Sequence, residues 1–315
     1  MSREGPIRRV AIHDWGTHPC PPRELQRLLD RTAGIDCEFT VWDADTLADC
    51  DAVVTLFHHD EFLEEVEWVH NVRSGYDDFP LDAYRDAGVT MTNSTGVAGD
   101  LVGETAVTFM LTFAKGLHRF RDQQNTATWR RLPVDRPFEL GTAEACVVGL
   151  GELGGSVVSR AGVLGMDVVG VDVRPVSNLG LDRVYDVNRL TDAVGDARFV
   201  VLTTPLTDQT EGLVGRDVFE AMRDDAYLVN VSRGEVVDQD ALVDALKNDE
   251  IAGAALDVFH EEPLPGDSPL WELDDVVVTP HAAAQADNYG DKIADLVETN
   301  VSRLNDGQDP WNRVV

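Results

Sequence analysis

The chain has 315 residues, enough for about two domains with substantial cores. Its 57 acidic against 26 basic residues give a formal charge of −31, with Lys115, Lys247 and Lys292 the only lysines. Such a balance excludes nucleic acid and anionic membrane as natural partners. It suits a halophilic surface, where the Debye length falls to about 3 Å in molar salt and self-repulsion is screened.

The N-terminus lacks an apolar signal core and no apolar run is long enough to span a bilayer, so the expected location is cytoplasmic. Cys20, Cys37, Cys50 and Cys146 show no C-x-x-C spacing and no grouping with histidine, which reads as free thiols and no metal site. The loop Phe57-His58-His59-Asp60 does not supply a set of metal ligands either.

Taken in order, strands are expected at 9–15, 37–42, 51–57, 68–72 and 89–92, with helices at 22–30 and 81–87. This alternation is the signature of a parallel sheet covered on both faces. One long, mostly apolar helix is expected over 101–120, then a linker over 130–140 with two prolines and mixed charge. A second run of strand and helix follows, with strands at 145–148, 167–171, 199–203, 226–231, 252–256 and 276–279. A last helix over 286–304 has the length to return to the first domain.

The second run opens on a G-x-G-x-x-G motif at Gly149, Gly151 and Gly154, directly after an apolar strand and at the start of a helix. Gly149 permits the turn, Gly151 lets backbone approach a pyrophosphate, and Gly154 lets helix and strand pack closely. The first helical N–H groups, around Glu152 and Leu153, then face the phosphates. Asp172 ends the next strand eighteen residues past Gly154, where a ribose-binding acid belongs. Asp172 favours NAD, whereas Arg174, with Pro175, Ser177 and Asn178 behind it, could accommodate the 2′-phosphate of NADP. The cofactor is therefore NADP or NAD, with the choice open.

Several further segments fall in a recognisable order. They are Arg73-Ser74-Gly75-Tyr76-Asp77, Thr92 to Gly96, Val102-Gly103-Glu104, Thr204-Pro205-Leu206-Thr207, Val229 to Asp238, Ala255 to Phe259 with Glu262-Pro263-Leu264, and Thr279-Pro280-His281. Together with the glycine motif they resemble the D-2-hydroxyacid dehydrogenase family over nearly the whole chain. That family includes phosphoglycerate dehydrogenases, glyoxylate and hydroxypyruvate reductases, formate dehydrogenases and corepressors.

The resemblance implies an α/β protein of two Rossmann-like or flavodoxin-like domains with parallel sheets and an active site in the interdomain cleft. Residues 1–98 plus 287–315 would form the substrate domain and 99–286 the dinucleotide domain. It implies reversible hydride transfer between NAD(P)H and a small 2-keto acid, giving a D-2-hydroxy acid, and a homodimer. The matching catalytic residues are Arg233, Glu262 and His281. A histidine is suited to giving the proton near neutral pH, a carboxylate on its other nitrogen fixes the tautomer and favours imidazolium, and a guanidinium fork holds a carboxylate.

Ser74 and Gly75 match positions whose backbone N–H groups receive the substrate carboxylate, with Asn93 and Phe57 or His58 as candidate pocket walls. On the cofactor side the resemblance adds Thr203, Thr204, Pro205, Thr207, Val231, Ser232, Ala283 and His281 itself, with Asp257 as partner of the nicotinamide amide. Asp78, Phe79, Pro80 and the Ala-Ala-Ala-Gln after His281 depart from the family pattern and bear on the choice of substrate. A non-catalytic NAD(H)-sensing protein of the corepressor type is the alternative. Formate dehydrogenase would need glutamine in place of Glu262.

The charge balance makes a direct prediction: the melting temperature rises in molar KCl. A value unchanged or lower in concentrated KCl contradicts the halophilic reading.

Overall fold

The computed structural model describes residues 5–17, 19–31, 36–42, 47–134, 136–174, 179–181 and 183–315. The chain divides into two compact units, residues 1–98 with 284–315, and residues 99–283.

The first unit holds a parallel sheet of five strands, β1 (Arg9–His13), β2 (Glu38–Trp42), β3 (Ala52–Thr55), β4 (Trp68–Asn71) and β5 (Thr90–Thr92). Their order is β2-β1-β3-β4-β5, a flavodoxin-like doubly wound arrangement. β3 and β4 are buried along their whole length, as strands covered on both faces must be. Helix Leu81–Ala87 ends at Gly88, whose φ of 72° supplies the left-handed stop. The final helix, Tyr289–Asn305, packs on helix Pro22–Leu29, and Gly290 lets the two approach where a Cβ would lie 2.8 Å from Cys20 Sγ. The last residues then run antiparallel to the edge of β5: Val314 N–H donates to Met91 O at 2.8 Å, and Met91 N–H to Val315 O at 3.1 Å.

The second unit holds a parallel sheet of seven strands, β6 (Glu144–Val148), β7 (Asp167–Val171), β8 (Val184–Tyr185), β9 (Phe199–Leu202), β10 (Tyr227–Asn230), β11 (Gly253–Leu256) and β12 (Val276–Val278). Their order, β12-β11-β10-β9-β6-β7-β8, reverses between β6 and β9, which is the Rossmann switch point. Ligands of such sheets bind outside the carboxyl ends of the strands at that reversal. The glycine motif follows β6 and Thr203 to Thr207 follow β9, so both border it.

Two local expectations need correction. The helix expected over 101–120 is two helices, Gly99–Lys115 and Leu117–Asn125, parted at Gly116, which has a φ of 64°. The apolar pattern stops at the same place: the second helix buries none of its residues. The stretch 130–140 is also more than a linker. Phe138 lies at the edge of a ring cluster with Phe199 and Tyr227, Arg198 sits 4.1 Å above its ring, and its N–H donates to Ala114 O at 2.9 Å. One aromatic ring supplies the anchor that the proline-rich composition conceals. None of the four cysteines forms a disulfide. Among the described residues no helix is long and apolar enough to cross a membrane.

Candidate active site

The glycine motif takes the shape its spacing predicts. Gly149 has a φ of 93°, and a Cβ there would lie 2.9 Å from Thr204 N. A Cβ on Gly154 would lie 1.9 Å from Gly149 O, so only glycine lets helix Glu152–Val163 start this close to the strand it leaves. Gly151, just before that helix, has nothing within 4 Å of its Cβ position, an open cradle at the helix N-terminus. Beside it, Thr204 Oγ1 is buried and makes no hydrogen bond among the described residues. An open glycine cradle, a helix N-terminus and an orphaned hydroxyl together fit a dinucleotide's pyrophosphate.

Around this cradle the remaining expected residues divide. Thr203 is structural at its hydroxyl, which lies 2.7 Å from Gly149 O and 3.0 Å from Val148 O and so ties β9 to the glycine turn. Thr207 bonds Thr210 within its own exposed turn, with Pro205 O accepting the Thr210 hydroxyl. Glu152 offers its backbone to the cradle, while its carboxylate accepts Gly99 N–H at 2.8 Å, at the start of another helix. Leu153 shares that first helical turn.

Asp172 is nearly buried, and Arg174 lies over it. Its Oδ2 accepts Leu150 N–H at 2.8 Å, and its Oδ1 accepts Arg174 N–H at 2.9 Å and Nε at 3.1 Å. Burial alone would raise this carboxyl's pKa; the Arg174 guanidinium and the two backbone donors outweigh it and hold it below the usual carboxylate range. Pro175, Ser177 and Asn178 lie outside the described residues.

The turns that carry Arg233, Glu262 and His281 are linked by one close backbone contact and by two hydrogen bonds of the Glu262 carboxylate. Arg233 follows β10, and Asn230, 1% exposed, shapes its turn: Nδ2 donates to Arg233 O at 2.8 Å while Oδ1 accepts Ser232 N–H and Oγ–H. Val231 and Ser232 are buried in the same turn. Gly234 then presses against the 259–260 peptide, where a Cβ would lie 2.0 Å from the Phe259 carbonyl carbon. Phe259 N–H donates to Glu262 Oε1 at 3.1 Å, and Glu262 Oε2 lies 2.8 Å from His281 Nδ1. His281 Nε2 makes no hydrogen bond among the described residues.

Asp257 holds the histidine in place. It is 1% exposed, and its Oδ1 accepts the Thr279 hydroxyl at 2.6 Å and Ala282 N–H at 2.8 Å, while Oδ2 accepts Ala283 N–H at 2.9 Å. Its own carbonyl accepts His281 N–H at 2.8 Å. This clamp stabilises His281 at a φ of 52°, which a non-glycine residue seldom adopts. Most of the Asp257 acceptor capacity is thereby spent on the loop, with one lone pair of Oδ2 left for a ligand amide. Ala283 is buried, with its N–H on Asp257 and its carbonyl on the Thr105 hydroxyl.

In the first unit, Ser74, Gly75 and Asn93 come together at the carboxyl ends of β4 and β5. Asn93 Nδ2 donates to Ser74 O at 2.6 Å, Ser74 Oγ–H to Ser94 O at 3.1 Å and Asn71 Nδ2 to Gly75 O at 2.7 Å. Neither the Ser74 nor the Gly75 N–H donates to another described residue. Phe57 is exposed beyond β3. His58 instead has one ring nitrogen 2.9 Å from the Tyr84 hydroxyl and the other 3.1 Å from Asp60 Oδ1, and it packs on Phe62, Phe79 and Tyr84.

Sequence reading passed over Asn230, Thr279 and Gly234 as functional positions. The signal was available for two of them: a buried polar residue ending an apolar strand, and a glycine directly after the candidate arginine. Gly154→Ala should weaken dinucleotide binding by at least about tenfold, because helix and turn must separate by more than 1 Å to admit the methyl group. Unaltered affinity in fluorescence titration contradicts the close-packed cradle.

Residues 107–283 match the model of the D-isomer specific 2-hydroxyacid dehydrogenase, NAD binding domain. The chain is 31% identical over 276 residues to a glyoxylate reductase of Korarchaeum cryptofilum, covering 84% of this chain and 83% of that one. It is 32% identical over 256 residues to a D-3-phosphoglycerate dehydrogenase of Methanocaldococcus jannaschii, covering 79% of this chain and 47% of that longer protein. Among solved structures, a D-isomer specific 2-hydroxyacid dehydrogenase from Xanthobacter autotrophicus in complex with NADPH and MES superposes with a TM-score of 0.81 at 25% identity, covering 98% of each chain. The chain belongs to the D-isomer specific 2-hydroxyacid dehydrogenase family of NAD(P)-dependent oxidoreductases.

Proposed function

We propose that this protein reduces a small 2-keto acid to the D-2-hydroxy acid, and runs the reverse reaction when product accumulates. The observation that carries the reading is the His281 imidazole, bonded to Glu262 through Nδ1 with Nε2 left without a partner among the described residues. A reduced nicotinamide, when bound, supplies hydride to C2 of the keto acid. His281 Nε2 gives the proton that the carbonyl oxygen requires, so the ketone takes up one hydride and one proton and becomes an alcohol. Glu262 keeps the Nδ1 proton in place and stabilises the imidazolium before transfer. Arg233 orients the substrate carboxylate and polarises the keto oxygen, tasks that suit a planar fork of donors. In the first unit, the backbone N–H groups of Ser74 and Gly75 donate to no described residue, which supports their expected role as carboxylate donors.

Both coenzymes are compatible with the pair at the end of β7. Arg174 occupies Asp172 through Nε on Oδ1 and Nη2 on Oδ2, and its side chain is 68% exposed, so when it turns outward it can meet a 2′-phosphate and the freed lone pairs of Asp172 can take a 2′-hydroxyl. Leu117, Phe120, Trp129 and Val134 are exposed apolar residues of one stretch of the second unit and support a homodimer. The acidic composition supports a salt-adapted enzyme. A dinucleotide sensor without catalysis remains the alternative only if an intact acid–base pair performs no chemistry.

The test is loss of NADH and NADPH absorbance with glyoxylate, hydroxypyruvate, pyruvate and longer 2-keto acids. Turnover is expected with at least one, and kcat/KM with each coenzyme reads the NAD against NADP choice. His281→Ala should lower kcat by about 10²–10⁴-fold while the coenzyme still binds. Binding without turnover on any acid, or near-normal turnover by His281→Ala, contradicts the reading.

A further inference from the structure

Directly beneath the Ser74–Gly75 turn lies a histidine that the chemistry above does not use. His70 is a residue of β4, 0% exposed, paired in register with Thr92 of β5. Its Nδ1 lies 2.8 Å from Thr92 Oγ1 and its Nε2 3.1 Å from Ser94 Oγ. Trp68 Nε1–H donates to the same Thr92 oxygen at 2.9 Å, and Ser94 Oγ–H donates to Asn71 O at 2.9 Å. Burial pushes the ring's pKa down to about 3, so it is neutral at working pH.

The proton positions follow from counting donors. The Ser94 hydroxyl has one hydrogen, given to Asn71 O, so its oxygen accepts from His70 Nε2–H. Nδ1 is then an acceptor, and the Thr92 hydroxyl donates to it while accepting from Trp68. In the opposite tautomer Thr92 would accept from both Trp68 and His70, and its own hydrogen would be buried with no described acceptor, at a cost of about 1–3 kcal/mol. The bonds therefore run in one direction, Trp68 to Thr92 to His70 to Ser94 to Asn71.

The last two members of this chain meet the turn. Asn71 continues into it through Nδ2 on Gly75 O and Oδ1 on Arg73 N–H, and Ser94 meets it through its N–H on Arg73 O and its carbonyl under Ser74 Oγ. An apolar residue would serve a strand buried on both faces at less desolvation cost, so a fully satisfied polar chain here specifies geometry rather than adding stability.

We propose that His70 is a positioning residue for the substrate: its directional hydrogen-bond chain holds the ends of β4 and β5 in the register that aims the Ser74 and Gly75 N–H groups at the carboxylate of a 2-keto acid. This rests on the 2-keto acid reading above. Because His70 acts through the turn, its loss falls on KM for the acid and not on the coenzyme or on proton transfer.

The experiment compares wild type, His70→Leu, His70→Gln and Ser94→Ala, with melting temperature and NAD(P)H affinity measured for each. His70→Leu and Ser94→Ala should raise KM for the best 2-keto acid about tenfold or more, with kcat changed less than about threefold and coenzyme affinity unchanged. His70→Gln, which can return a donor to Ser94 and an acceptor to Thr92, should recover most of the loss. Ser94→Ala, a smaller change, keeps the test open if His70→Leu fails to fold. Unchanged KM in a folded His70→Leu or Ser94→Ala enzyme overturns the proposal while leaving the reductase reading intact. KM, kcat and coenzyme affinity falling away together, without rescue by glutamine, also overturns it. A wild-type chain that reduces no 2-keto acid overturns both.

Discussion

A buried carboxylate accepting three hydrogen bonds from one short loop is the constraint on which the placement of His281 against Glu262 depends. Asp257 closes β11 and gathers the Thr279 hydroxyl and the N–H groups of Ala282 and Ala283, while its carbonyl takes the N–H of His281. Removing a partner from a buried acceptor costs about 1–3 kcal/mol, comparable to the strain of a residue held at positive φ. The loop after β12 therefore has one favourable path, and that path sets His281 against Glu262. The His281–Glu262 pair itself stays partly exposed, at 32% and 37% for the two side chains, so its attraction is screened and does not fix its own geometry.

The same logic governs the other half of the site, with sterics in place of hydrogen bonds. Gly154 against Gly149 O sets the helix on the strand, and Gly234 against Phe259 sets the arginine turn on the glutamate turn. In each case a missing Cβ lets two backbone segments meet, and the side chains that follow acquire their positions from that meeting. Parallel strands explain why all of this falls at one end of the second unit. Every strand delivers its following loop to the same edge, so residues far apart in sequence, Gly149, Thr204, Arg233, Asp257 and His281, share one rim.

What the sequence disclosed and what it withheld follow from the range of the forces involved. The glycine spacing and Asp172 were legible because each reports a local backbone requirement, and the apolar runs because full burial leaves strands without alternation. The break at Gly116 was hidden because a single glycine within an apolar pattern does not itself dictate a left-handed turn. The packing of Phe138 was hidden because its partners, Phe199 and Tyr227, lie sixty and more residues away. Asp257 and His58 show a different limit. Residue type and order mark both as candidate ligand positions, while the bonds each side chain makes within the fold are set by its surroundings: a loop's donors for Asp257, and Tyr84 with Asp60 for His58.

The most direct measurement is the tautomer of His281, read from its ring ¹⁵N shifts in the coenzyme-free protein in alkaline buffer. Eight histidines keep the spectrum assignable. With the loop clamped as described, the proton resides on Nδ1 facing Glu262, Nε2 is bare, and Asp257→Asn abolishes that preference. An Nε2–H tautomer in the wild-type protein, or a preference untouched by Asp257→Asn, contradicts a histidine positioned by the buried carboxylate.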